Sequence, residues 1–367
     1  TVPLWMEKPL SKVANLGKTN WWQKTTKEVL DEIFTDEKLK AILTAQWGYY
    51  GSPPSQSSFA LHALTTRHFV RGGFYPVGGS QVFAENFLKT VQDSGGATFV
   101  RAEVKELIVK KGKAVGVRLK NGDEFFAKKI ISAMGVKNTV RHFVPEEYRN
   151  SEWGKSLLDI KSSPAYICLN LGFEGDIESV GAQKSNLWMM ESWNMEWDTW
   201  DLDDEKSIAP ILYMSFPSLK DPHHDPGPNN RHTGEVVTFV SWKLFEKWQE
   251  TRRGKREKDY TEFKKQIEDR VIAQLKKHVP KLMEKVVYHE LSTPLSTQFF
   301  TKAAEGGIYG LEATPERFRN RHLRTRSPIK NFYLTGGDVT TLGIAGALTA
   351  GVLTAATLEP RLYKKLI

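Results

Sequence analysis

The stretch "NFYLTGGDVTTLGIAGALTAGVLTAATLEP", residues 331–360, has no charged residue between Asp338 and Glu359 and is punctuated by Gly343, Gly346 and Gly351. Phe332, Tyr333 and Leu334 predict the end of a buried strand, and Gly336-Gly337 predict a backbone turn that passes close to another group. A helix is predicted to start near Gly343, where unpaired N–H groups and the positive end of the helix dipole favour a partial negative charge. Small residues at Gly343, Ala345, Gly346 and Ala347 leave room for a flat ring beside those N–H groups. A small-residue helix packed against a sheet explains the same letters, so the stretch alone does not choose.

The other bulk properties narrow the class. A chain of 367 residues, 40% hydrophobic and 26% charged, can build two domains and a sizeable core. It has no fixed-period repeat and no low-complexity tract. Glycines and threonines interrupt its longest charge-poor run, which therefore reads as a buried helix rather than a membrane span. The opening residues do not read as a signal peptide. Cys168 is the only cysteine, which excludes an intramolecular disulfide and a cysteine-built zinc site and fits a reducing, cytoplasmic setting. The net charge of +9 attracts anionic partners in general. Lysines and arginines are nonetheless spread along the chain without a nucleic-acid motif, so no nucleic-acid partner is expected. The histidines lack metal-ligand spacing, and no metal is expected. No G-x-S-x-G elbow places a serine nucleophile.

Along the chain, residues 1–70 read as a helical aromatic segment holding Trp5, Trp21, Trp22, Trp47, Tyr49 and Tyr50. Ser80 is a predicted cap for a helix with a Val82, Phe83, Phe87, Leu88 and Val91 stripe, closed by Gly95-Gly96. Turn signals at Lys111-Gly112-Lys113 and Asn121-Gly122-Asp123 predict an antiparallel meander that returns to a buried strand at Ile130–Ala133. Aromatic residues and methionines crowd the region from Trp188 to Trp200. Phe263, Ile267, Val271 and Leu275 predict one face of a long amphipathic helix.

"LTGGD", "GIAGAL" and the following glycine resemble the C-terminal flavin motif of the phytoene desaturase and carotenoid isomerase family of FAD-dependent oxidoreductases. "SFALHALTTRHFVRGGFYPVGGSQ", "VRAEVKELIVKKGKAVGVRLKNG", "IISAMGVKNTVRHFVP", "FPSLKDP", "TPLSTQFF" and "GGIYGLE" resemble its retinol saturase branch most closely. That resemblance implies an α/β fold: a glutathione-reductase-like FAD-binding domain with an inserted α+β substrate domain. The implied division is 1–70 and 151–305 in the substrate domain, with 71–150 and 306–367 in the FAD domain. No G-x-G-x-x-G occurs anywhere in the sequence, and that motif normally holds the FAD pyrophosphate in the family's first βαβ unit. The chain is therefore expected to lack that unit, to hold half of a cofactor site and to be inactive by itself.

The resemblance assigns roles residue by residue. Asp338 is implied to accept from ribityl hydroxyls, although a capping Asp explains it too. The backbone of Gly337, Gly343, Ile344, Ala345, Gly346 and Ala347 is implied to face the flavin ring. Val104 is implied to pair with adenine and Ala133 to lie nearby; core packing accounts for both equally. Tyr309 is a candidate for the reactive face. Trp188, Met190 and Trp193 are candidates for lining an apolar tunnel, since aromatics and methionine adapt to a long lipophilic ligand. No side chain stands out as a proton donor. The implied activity is saturation of a polyene double bond, with desaturation, cis–trans isomerisation and a non-catalytic lipid-binding role as alternatives. NAD(P)H is the implied electron donor, and the N-terminal Trp/Lys segment suits peripheral membrane contact.

Overall fold

A computed structural model describes residues 20–197 and 199–362; the predicted Trp5 segment lies outside them. Helices α1 (Thr26–Ile33), α2 (Glu37–Thr44), α3 (Phe59–His68) and α4 (Gln81–Asp93) come first. Strands β1 (Val104–Lys110), β2 (Lys113–Leu119), β3 (Glu124–Phe126) and β4 (Ile130–Ser132) then lead to helix α5 (Glu152–Leu158). Strands β5 (Ala165–Glu174), β6 (Leu187–Met190), β7 (Ile211–Ser215) and β8 (Arg231–Val240) precede α6 (Lys258–His278), β9 (Val286–Ser292) and α7 (Pro294–Thr301). Helix α8 (Pro315–Arg319), strand β10 (Phe332–Leu334) and helix α9 (Gly343–Leu358) close the order.

Two compact units emerge. The first takes described residues up to 67, then 102–163 and those from 309 onward. In it β1, β2 and β3 form the predicted antiparallel meander. Lys111 and Gly112 turn between the first two strands, both with positive φ (49° and 71°), as a two-residue hairpin turn matched to strand twist requires. Strand β4 pairs in parallel with β10, Ser132 opposite Leu334. Leu107, Val136, Trp153, Leu157, Phe332 and Leu334 share a core beside this pair; burying each such side chain contributes about 1.5–3 kcal/mol. The returning strand is less buried than its sequence predicts, with Ile131 47% exposed.

The second unit takes 68–101 and 164–308. Its five-stranded antiparallel sheet has the order β6-β7-β8-β5-β9. Along β5 burial alternates strictly, so Ile167, Leu169, Leu171 and Phe173 enter the core while the residues between them face the other way. Helix α6 buries Ile267, Val271 and Leu275 in that core, as its spacing predicts.

The units divide the chain differently from the sequence reading in two places. Residues 20–67 group with the parallel strand pair, and the α4 region groups with the large sheet, where the Gly78 N–H donates to Asp221 Oδ1 at 3.0 Å. Ser80 makes no side-chain cap bond, and the α4 stripe has no buried residue. The Trp/Met region also splits. Met195 and Trp200 are core, while Trp188 and Met190 lie in β6.

Candidate functional site

Because β4 and β10 run parallel, their carboxyl ends open on the same edge, the place where ligands sit in α/β sheets. Ala133 follows β4 there and is exposed. After β10 comes the turn at Gly336, Gly337 and Asp338. Asp338 is 8% exposed, and its carboxylate ties three segments together. Oδ2 accepts the Val136 N–H at 2.8 Å and Oδ1 the Leu311 N–H at 3.0 Å. A carboxylate offers about four acceptor directions, which leaves capacity for a ligand's hydroxyl groups. Gly310 stands against the same carboxylate: its φ is +77°, and a Cβ there would lie 2.3 Å from Asp338 Oδ1.

A buried cation holds this arrangement from within. Arg317, 1% exposed, donates through Nη1 to the Leu311 carbonyl at 2.9 Å. Its Nη2 donates to the carbonyls of Gly337 (2.6 Å), Asp338 (3.2 Å) and Thr340 (3.4 Å). Burial pushes its pKa down to about 10, opposed by the Asp338 charge, so it stays protonated at neutral pH. The sequence gives no sign of this role: "TPERFRNRH" reads as a helix start followed by a cationic surface.

Helix α9 begins in the same loop, with no side chain capping its N-terminus. The N–H groups of Gly343, Ile344 and Ala345 meet no acceptor among the described residues. Gly343 adopts φ +74° with open space around it, and Ile344, Ala345 and Ala347 are exposed. Gly346 departs from its predicted reason for being small. It is buried, and a Cβ would lie 1.7 Å from the Thr341 carbonyl oxygen. Its missing side chain makes room for the chain's own turn.

The remaining candidates are placed less tightly. Val104 opens β1 in the meander, a different sheet from the two loops. The Tyr309 hydroxyl donates to the Gly48 carbonyl at 2.9 Å, and its N–H donates to Ser163 Oγ at 2.8 Å. In the second unit Trp188 packs edge-on against Tyr213, ring centroids 5.0 Å apart. Trp193 lies beyond the strand end and is 56% exposed.

Uncapped, exposed N–H groups beside a clamped carboxylate fit the ring and ribityl part of a flavin: donors for an electron-rich ring edge, an acceptor for hydroxyls. Among the described residues no group of His, Cys, Asp and Glu is placed to hold a metal. No helix among them is long and apolar enough to cross a membrane.

Known proteins resemble the chain along most of its length. The family model for flavin containing amine oxidoreductase matches residues 22–358. An all-trans-retinol 13,14-reductase of Homo sapiens is 31% identical over 357 residues, covering 92% of this chain and 58% of that protein. A chloroplastic prolycopene isomerase of Daucus carota is 30% identical over 285 residues, 76% of this chain and 42% of that protein. The chain thus spans little more than half the length of the reductases it matches. Among solved structures, an oxidoreductase from Methanosarcina mazei superposes with a TM-score of 0.62 at 13% identity, covering 96% of this chain and 72% of that one. At that identity the likeness speaks for the fold alone.

Proposed function

Because the chain belongs to the flavin containing amine oxidoreductase family, we propose that it is part of an FAD-dependent oxidoreductase that saturates a double bond of an apolar polyene. The single observation that carries the cofactor part is the Asp338 clamp beside the uncapped start of α9. The likeness to retinol reductases along almost the whole chain supports the substrate class. When bound, reduced FAD supplies a hydride to one alkene carbon, and the other carbon takes a proton.

In this proposal Asp338 accepts from the ribityl hydroxyls, and the backbone of Gly337 and of Gly343–Ala347 faces the ring. Those N–H groups would stabilise its anionic reduced form. Ala133 borders the site, Val104 approaches adenine through its backbone, and Tyr309 acts through its ring, its hydroxyl being engaged with Gly48. Trp188 and Met190 contribute a lipophilic wall, and Trp193 extends it from the surface. The sequence has no G-x-G-x-x-G, so Asp338 and the α9 backbone account for only one half of an FAD site. NAD(P)H as electron donor and peripheral membrane contact, with Trp21 45% exposed, belong to the same proposal and rest mainly on the resemblance.

The test is to incubate the longer protein of which this chain is proposed to be part anaerobically with chemically reduced FAD and all-trans-retinol, then weigh the product. A gain of two hydrogens is expected. An unchanged mass with altered geometry would favour isomerisation, the reaction class suggested by the prolycopene isomerase likeness. No turnover of any polyene would overturn the reading.

A further inference from the structure

Just before α6 the chain makes a four-residue turn, Arg252-Arg253-Gly254-Lys255. The Lys255 N–H donates to the Arg252 carbonyl at 3.0 Å, and Gly254 takes φ +77° with open space around it. Glycine adopts that left-handed third position of a turn without strain. Residues 250–258 hold five cations against two acids, Glu250 and Glu257. Arg252, Arg253 and Lys255 are exposed. The acids that follow pair elsewhere, Asp259 with Lys247 and Glu262 with Lys258. The charged ends of the three turn residues therefore meet no carboxylate among the described residues.

An apolar pair lies against the turn. The Arg253 guanidinium sits over the Phe300 ring at 4.7 Å and the Phe299 ring at 5.4 Å. The two rings stand edge to face at the end of α7, 5.0 Å apart, with Phe300 65% and Phe299 47% exposed. The Lys302 ammonium lies 5.7 Å from the Phe299 ring. The group is anchored from below. Arg256 donates through Nε to Thr251 Oγ1 at 3.1 Å and lies over the Tyr260 ring at 4.8 Å. The buried Tyr260 hydroxyl shares a 2.8 Å hydrogen bond with Thr293 Oγ1, and Thr293 is the N-cap of α7. One buried tyrosine thus ties the basic turn to the helix that carries the phenylalanines.

We propose that this turn and the end of α7 dock on an anionic lipid surface, the phenylalanines entering below the headgroups and the cations resting on them. Charge complementarity selects the sign of the surface: each cation near an anionic leaflet strengthens binding by about fivefold. The phenylalanines select lipid over nucleic acid. They stand edge to face, not as parallel platforms on which successive bases stack. An aromatic pair beneath a layer of cations matches the depth profile of a membrane interface, apolar inside and charged outside. The inference rests on the peripheral membrane contact in the reading above and gives it a surface and a lipid charge.

The experiment measures binding of the chain to vesicles of phosphatidylcholine alone and of phosphatidylcholine mixed with phosphatidylserine. Binding is expected to the mixed vesicles only, and to weaken as salt is raised. Replacing Arg252, Arg253 and Lys255 together by Gln should cost on the order of a hundredfold in affinity. Lys255→Gln alone, whose ammonium bonds to no described residue, should cost about fivefold and leaves the turn and the rings untouched. Phe299→Ser with Phe300→Ser should cost about tenfold or more while the salt dependence stays as in the wild type. Thermal melts check that each variant is folded. Equal binding to both kinds of vesicle, no binding to either, or wild-type affinity in the folded triple variant would overturn the proposal. Tighter binding to a single-stranded oligonucleotide than to the mixed vesicles would overturn it in favour of nucleic acid. Retinol reduction by the longer protein in detergent micelles tests the polyene reading without vesicles, so either reading can fail alone.

Discussion

At the scale of single residues, the two charged groups that shape the site were unequally visible in sequence. Asp338 could be singled out because it ends a Gly-Gly turn after an apolar strand, a local pattern. Arg317 could not, because its five carbonyl acceptors come from two loops that only the fold brings together. Buried His62 is another such case. Its Nδ1 lies 2.9 Å from the Tyr50 hydroxyl, and burial pushes its pKa down to about 4. The unfolded chain takes up a proton below about pH 6.5, but the folded chain resists it until about pH 4. Stability is therefore full above the upper value and lost as pH falls through the window, by roughly 3 kcal/mol in total. Denaturant melts of the wild type and His62→Gln between pH 7 and 4 should show that extra loss in the wild type only. Parallel curves would show that the ring is protonated without cost.

At the scale of elements, periodicity found what it could. The meander with its Lys111-Gly112 turn, the α6 face and the final strand and helix all rest on local signals, and all are present. Burial was harder to read. Phe87, Leu88 and Val91 of the α4 stripe, and Ile131, are apolar yet exposed, since a pattern says which face is apolar and not what covers it. The glycines of α9 also separate by cause. Gly343 has a left-handed backbone with open space, whereas Gly346 sits against the Thr341 carbonyl. Gly343→Ala should cost about 1 kcal/mol, the conformational penalty alone. Gly346→Ala should cost about 3 kcal/mol or more, because the backbone of the turn must move. Thermal melts of the two variants decide this: equal losses, or a larger loss at Gly343, would contradict the packing described for the helix start.

At the scale of the whole molecule, family membership and the two-unit organisation agree with an FAD-dependent oxidoreductase fold. The sequence made the family legible because its motifs are local and run in order. It could not show which residues of the large sheet share a face, since that depends on strand order and register. The central claim is that the start of α9 and the carboxyl edge of the β4–β10 pair receive a flavin. Ala345 is exposed on the first turn of α9, so Ala345→Phe would fill the ring space at only a small helix-propensity cost. The most direct measurement is a titration of FAD into the wild type and this variant, followed by flavin fluorescence, with thermal melts as a check on folding. Saturable but weak binding is expected in the wild type, since the sequence lacks a pyrophosphate loop, with at least about a tenfold loss in the variant at an unchanged melting temperature. An unchanged FAD affinity in a folded Ala345→Phe variant would contradict the account.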